Sequence, residues 1–103
     1  MKMKLNKKVI CADGFEMSVQ AHDGAYCEPR ENEATRYESV EIGFPSMPEP
    51  LLMEWAEEPG RPTETVYGWV PSERASLVIA KHGGIISGQV PAGVAPLRSD
   101  HES

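Results

Sequence analysis

The 103-residue chain predicts an α+β domain, a small antiparallel sheet of three to five strands with one C-terminal helix packed on it. Three observations lead there. Lys8–Ala21 holds two apolar runs joined by Asp13-Gly14, a dipeptide that reaches positive φ cheaply and so closes β-hairpins. Ser39–Phe44 alternates apolar and polar residues, and Thr63–Val70 is rich in β-branched and aromatic ones, so both read as strands. A single segment of helical period follows at Glu73–His82 and is ended by Gly83-Gly84.

A two-residue turn at Asp13-Gly14 pairs Ala12 with Phe15, Ile10 with Met17 and Lys8 with Val19. Side chains alternate along a strand. Ile10, Ala12, Phe15, Met17, Val19 and Ala21 are then expected on the core face, and Val9, Cys11, Glu16, Ser18, Gln20 and His22 on the other. Asp23-Gly24 offers a second turn, into a short strand at Ala25–Cys27 that Pro29 ends. Glu28–Glu38 is polar without a period and reads as a loop. In Ser39–Phe44, Val40, Ile42 and Phe44 share one side.

Pro45–Pro50 carries three prolines and reads as extended and exposed. Leu51–Ala56 fits one helical turn or a short strand equally well, and Glu57–Pro62 reads as a loop. In the strand beyond, Tyr67 and Trp69 are expected on one face and Val66 and Val70 on the other, with Gly68 marking a bulge or a close backbone approach. Ser72 is expected to cap the helix, with Glu73 near its positive end and Lys81 and His82 near its negative end. Ala75, Val78, Ile79 and His82 form its apolar stripe. Such a helix spans about 15 Å, long enough to lie across a small sheet and too short to stand alone. Residues 1–86 are thus expected to form the single domain. Residues 87–103, dominated by Gly, Pro, Ala, Ser and charge around isolated Val90, Val94 and Leu97, read as a mobile tail.

The net charge is −6, and residues 9–72 alone hold thirteen acids against Arg30, Arg36 and Arg61. That balance argues against direct nucleic-acid binding, which wants a basic face. It leaves open an acidic decoy for a nucleic-acid-binding protein. No apolar run approaches the length of a membrane span, and none of signal-peptide length follows the basic N-terminus, so a cytoplasmic protein is expected.

Cys11, His22, Cys27 and His82 are the residue types that hold zinc. The expected register opposes it: Cys11 faces Glu16, and His22 lies about 20 Å further along that strand. The second hairpin likewise sets Cys27 about 13 Å from the partner of Cys11, too far for a disulfide. No metal and no cofactor are expected. Cys27, with Arg30 close in sequence and His22 across the Asp23-Gly24 turn, outlines a small-ligand site or a minor enzyme. No nucleophile elbow accompanies it, and nothing in the sequence orients the histidine. His82 reads as a helix C-terminal cap and not as a catalytic base. Tyr67 and Trp69 are either core or an interface, and with Trp55, Cys27 and Arg30 they complete the candidate binding residues.

Ala12–Ala21, Tyr26–Arg30, Val40–Ser46, Glu49–Leu52, Thr65–Pro71 and Lys81–Gly84 together resemble a group of short, uncharacterised proteins encoded by bacteriophages and prophages. The resemblance covers roughly residues 8–84 and brings no catalytic residue with it. It implies a small accessory protein made in an infected or lysogenic bacterial host cell. With no catalytic signature in the sequence, the chain is read as a non-enzymatic accessory protein that acts by binding an unidentified host or phage protein.

Overall fold

β1 (Val9–Cys11) and β2 (Glu16–Gln20) form the first hairpin of the computed structural model, which describes residues 5–99. The hairpin closes one residue away from the expected register, with Val9 opposite Met17 and Ile10 opposite Glu16. Cys11 N–H donates to Phe15 O at 2.8 Å and Gly14 N–H to Cys11 O at 2.9 Å, so the loop is Ala12-Asp13-Gly14. Gly14 takes the left-handed position at φ 96°, as three-residue hairpin loops require. Asp13 Oδ1 accepts the Phe15 N–H at 2.9 Å and holds that loop.

The slip turns β1 over, because a shift of one residue moves every side chain to the opposite face. Val9 and Cys11 are buried and Ile10 and Ala12 only partly so, while Phe15, Met17 and Val19 point inward as expected. Asp23-Gly24 does turn the chain, with Ala25 N–H donating to His22 O at 3.1 Å. No strand follows it at Ala25–Cys27, and β2 pairs instead with β3 (Ser39–Gly43).

β4 (Val66–Pro71) pairs with β3, and α1 (Ser72–Lys81) follows it directly. β5 (Ile85–Ser87) returns to lie beside β1. All neighbours are antiparallel and the strand order is β4-β3-β2-β1-β5. The chain is thus a small α+β fold, a five-stranded antiparallel sheet with one main helix on it. No helix among the described residues is long and apolar enough to cross a membrane.

One continuous core joins the inward side chains of the sheet to Ala75, Val78 and Ile79 of α1 and to Leu52. Leu52 comes from a 3₁₀ helix at Pro50–Trp55, which resolves the ambiguity of that segment. Ser72 does not cap α1 through its side chain. Its hydroxyl donates instead to Tyr37 O at 2.7 Å, tying the helix start to the long β2–β3 connection. Tyr37, in the segment expected to be a polar loop, is buried and donates its hydroxyl to Glu31 O at 2.6 Å.

Beyond β5 the structure differs from the expected mobile tail. Val94 is 3 % exposed and Val90 packs against the core. Tyr37 N–H donates to Ala92 O at 2.9 Å, Ile85 N–H to Leu97 O at 2.8 Å and Ser99 N–H to Ile85 O at 2.9 Å. Gly93, at φ 110°, lets the backbone pass so close to Tyr37 that a Cβ would sit 2.4 Å from Tyr37 O. Backbone pairing to the edge of β5 supplies the order that two valines alone would not, and it covers a sheet edge as well. Residues 100–103 of the expected tail, like the basic residues Lys2 and Lys4, lie outside the described residues. A chain ended after Ser87 is therefore expected to lose about 2–3 kcal/mol, from the burial of Val90 and Val94. Urea denaturation of the two lengths measures this, and equal midpoints would show that the segment contributes nothing.

Candidate functional site

The candidate residues do not gather at one place. Tyr67 is fully buried, with its hydroxyl donating to Pro62 O at 2.6 Å; burial pushes its pKa up. Trp69, two residues on, is 44 % exposed. The expectation that they share a face fails because β4 is bulged. Val40 faces Val70 while Ile42 faces Tyr67, so Gly68 and Trp69 together oppose Glu41. The extra residue resets the alternation. Tyr67 and Val70 both point inward, and Trp69, at φ 53°, is thrown outward.

Trp69 has a partner there. Its ring stacks on Tyr26 with centroids 4.9 Å apart and planes at 14°. Its N–H donates to Tyr26 O at 2.9 Å, and Tyr26 N–H donates to Glu41 Oε1 at 2.8 Å. Gly68 makes this possible, since a Cβ there would lie 3.1 Å from Tyr26 Cβ. The Arg30 guanidinium lies over the Tyr26 ring, 5.9 Å from its centroid. Arg30, Tyr26 and Trp69 thus form an exposed stack on the sheet face opposite the core. Trp69 and Arg30 were legible as candidates. Tyr26 was not, because what marks it is its contact with the bulge.

Cys27 is adjacent in sequence but buried. Its thiol lies 3.3 Å from both His22 O and Pro29 O. Burial, the leading cause, pushes its pKa up, against smaller lowering effects from the His22 hydrogen bond and Arg30. The His22 ring faces elsewhere, its Nδ1 accepting the Gly24 N–H at 3.0 Å. A thiol with a raised pKa and no base beside it lacks what an activated nucleophile needs. Both cysteines are free. Burial, with Asp13 adding to it, pushes Cys11 to about 11.

Trp55, at the end of the 3₁₀ helix, is half-buried under Arg74, whose guanidinium lies 5.1 Å from its ring centroid. Arg74 Nη1 also donates to Leu51 O at 3.1 Å. Trp55 and Arg74, with Glu54, Pro71, Glu73 and Leu77, line a shallow cleft of about 490 Å³. Trp55 is therefore joined through Arg74 to α1, with its ring partly covered.

A polar cluster that the sequence did not reveal lies on the core side. His82, at the end of α1, has its Nδ1 2.7 Å from Asp13 Oδ2 and its Nε2 2.6 Å from Glu49 Oε1. Glu49 Oε2 accepts Lys81 Nζ at 2.8 Å and the Leu51 N–H at 2.8 Å, where it caps the 3₁₀ helix. Phe15 stacks flat on the His82 ring at 4.0 Å. Both ring nitrogens thus lie within hydrogen-bond distance of a carboxylate oxygen. The Glu49 side chain is 1 % exposed and that of His82 7 %. Burial alone would push the Glu49 pKa up; Lys81, the Leu51 N–H and His82 together outweigh it and hold the carboxyl below its ordinary value. The Phe15 N–H, followed by His82, lowers Asp13 likewise.

This cluster ties the first turn, the 3₁₀ helix and the end of α1 together. Both ring nitrogens of its histidine are hydrogen-bonded, and Phe15 stacks on the ring. Among the described residues no three of His, Cys, Asp and Glu gather where they could hold a metal ion. No protein-family model matches the chain, and neither a curated protein nor a solved structure is significantly similar to it.

Proposed function

We propose that this chain is a small non-enzymatic accessory protein, of the kind its phage and prophage resemblance implies, that binds another protein through the Tyr26–Trp69 stack. The observation that carries this reading is the backbone of Trp69. A bulky residue at positive φ is a rare outlier in folded proteins, and here it costs stability to hold an indole ring in solvent when the same bulge could present glycine. Such strain is kept where the exposed side chain has work to do. Trp and Tyr are also the residues that most often anchor protein interfaces, because they offer large area with few rotatable bonds. The competing reading, a site of Cys27, Arg30 and His22, is disfavoured by the burial of the thiol and the direction of the His22 ring.

Trp69→Gly separates binding from folding. Relief of the left-handed backbone, of order 1 kcal/mol, offsets a stacking loss of about the same size. Stability is expected to change by less than about 1 kcal/mol, while capture of a partner from bacterial lysate is lost. If the variant is destabilised by several kcal/mol and still captures the same protein, the stack is a packing element and the interface lies elsewhere.

A further inference from the structure

Resting on that reading, we propose that the partner segment seated on this stack is basic, a stretch of protein presenting arginine or lysine to the Trp69 ring. Aromatic faces attract a cation placed within about 6 Å of the centroid. The chain already satisfies two of its own aromatic faces in this way, Arg30 over Tyr26 at 5.9 Å and Arg74 over Trp55 at 5.1 Å. Trp69, 44 % exposed as a residue, has no such cation over its ring among the described residues.

The carboxylates around the stack favour the same occupant. Glu57 Oε2 would lie 3.4 Å from a Cβ built on Gly68, a position that also touches Tyr26, so this carboxylate borders the stack. Glu41 Oε1 is held beneath it by the Tyr26 N–H. Neither Glu41 nor Glu57 forms an ion pair among the described residues. Beside Arg30, an incoming guanidinium or ammonium would find an indole face and two carboxylates outside any ion pair among the described residues. The net charge of −6 favours the approach of a cationic partner to the chain as a whole. A nucleic-acid strand could stack a base on Trp69, but these carboxylates would repel its phosphates.

Selection from a random-peptide display library on the intact chain tests this, with the selected peptides then titrated against wild type, Trp69→Gly and Glu57→Gln. Peptides enriched in arginine and lysine are expected. Their binding should be lost in Trp69→Gly and weakened about two- to fivefold in Glu57→Gln, as one exposed charge pair implies. It should also fall as salt is raised. Peptides that need Trp69 but are not basic, and that ignore both salt and Glu57→Gln, would overturn the basic partner and leave the docking site standing. Basic peptides that bind Trp69→Gly as well as wild type would overturn the placement at this stack. A library that yields no Trp69-dependent binder would overturn the docking site itself.

Discussion

Val78→Asp is expected to leave the protein unfolded. Val78 is 0 % exposed in the middle of α1, against the sheet. Val78 lies within the apolar core cluster, so the substitution buries a charge among hydrocarbon side chains. The cost is several kcal/mol, against a total stability of about 5–15 kcal/mol for an ordinary domain. Among the described residues α1 is the only α-helix on the sheet, and its Ala75, Val78 and Ile79 belong to the one continuous core. Circular dichroism and amide dispersion by NMR read the outcome. Leu77→Asp is the control: its neighbour in sequence is 50 % exposed on the outer side of the same helix, and a surface change of this kind stays within about 0.5 kcal/mol. A folded Val78→Asp protein would show that α1 does not close the core.

His82→Ala is expected to cost about 2 kcal/mol, as for leaving a buried hydrogen-bond partner unsatisfied, because Glu49 loses the ring nitrogen but keeps Lys81 and the Leu51 N–H. The loss has a signature beyond its size. What destabilises is the stranded carboxylate more than the missing ring, so Glu49→Met with His82→Leu should cost less than His82→Ala alone. Urea midpoints of the single and double variants decide it; a double variant worse than the single would mean the polar cluster contributes net stability. The carboxylates also set an acid dependence. The folded-state pKa of Glu49 lies below its ordinary value of 4.5, and that of Asp13 below 3.8. Their contribution is thus full above those ordinary values and is lost as pH falls through the lowered folded ones. Glu49→Gln should flatten that acid limb of stability against pH.

The exposed stack shows how a site can be half legible. Trp69 was identifiable as an aromatic on a strand, and Gly68 as a place for a bulge or a close approach. Whether the tryptophan pointed in or out depended on the bulge, and a bulge is a property of two strands in register. Tyr26 lies in a segment with no periodicity, so only its packing over Gly68 makes it part of anything. The buried cluster was less legible still. Glu49 sits between prolines in a stretch that composition marks as exposed, yet its side chain is 1 % exposed, because its partners arrive from the end of α1, thirty-two and thirty-three residues later.

The sequence by itself determined the class of the fold, the strands at β2 and β3, the helix with its buried stripe of Ala75, Val78, Ile79 and His82, and the approximate place of β4. These depend on periodicity and on local turn and capping chemistry, which neighbouring residues carry among themselves. Tertiary structure decided the rest. Asp-Gly suits a two-residue or a three-residue loop; the Asp13 side chain on the Phe15 N–H and the burial of Val9 and Cys11 selected the second. Two valines in a glycine- and proline-rich segment cannot order it alone; the edge of β5 and the backbone of Tyr37 provided partners. The physical reason is the same in each case. A local pattern states what a segment can do at low cost, and the choice among equally cheap local states is made by contacts between residues far apart in the chain.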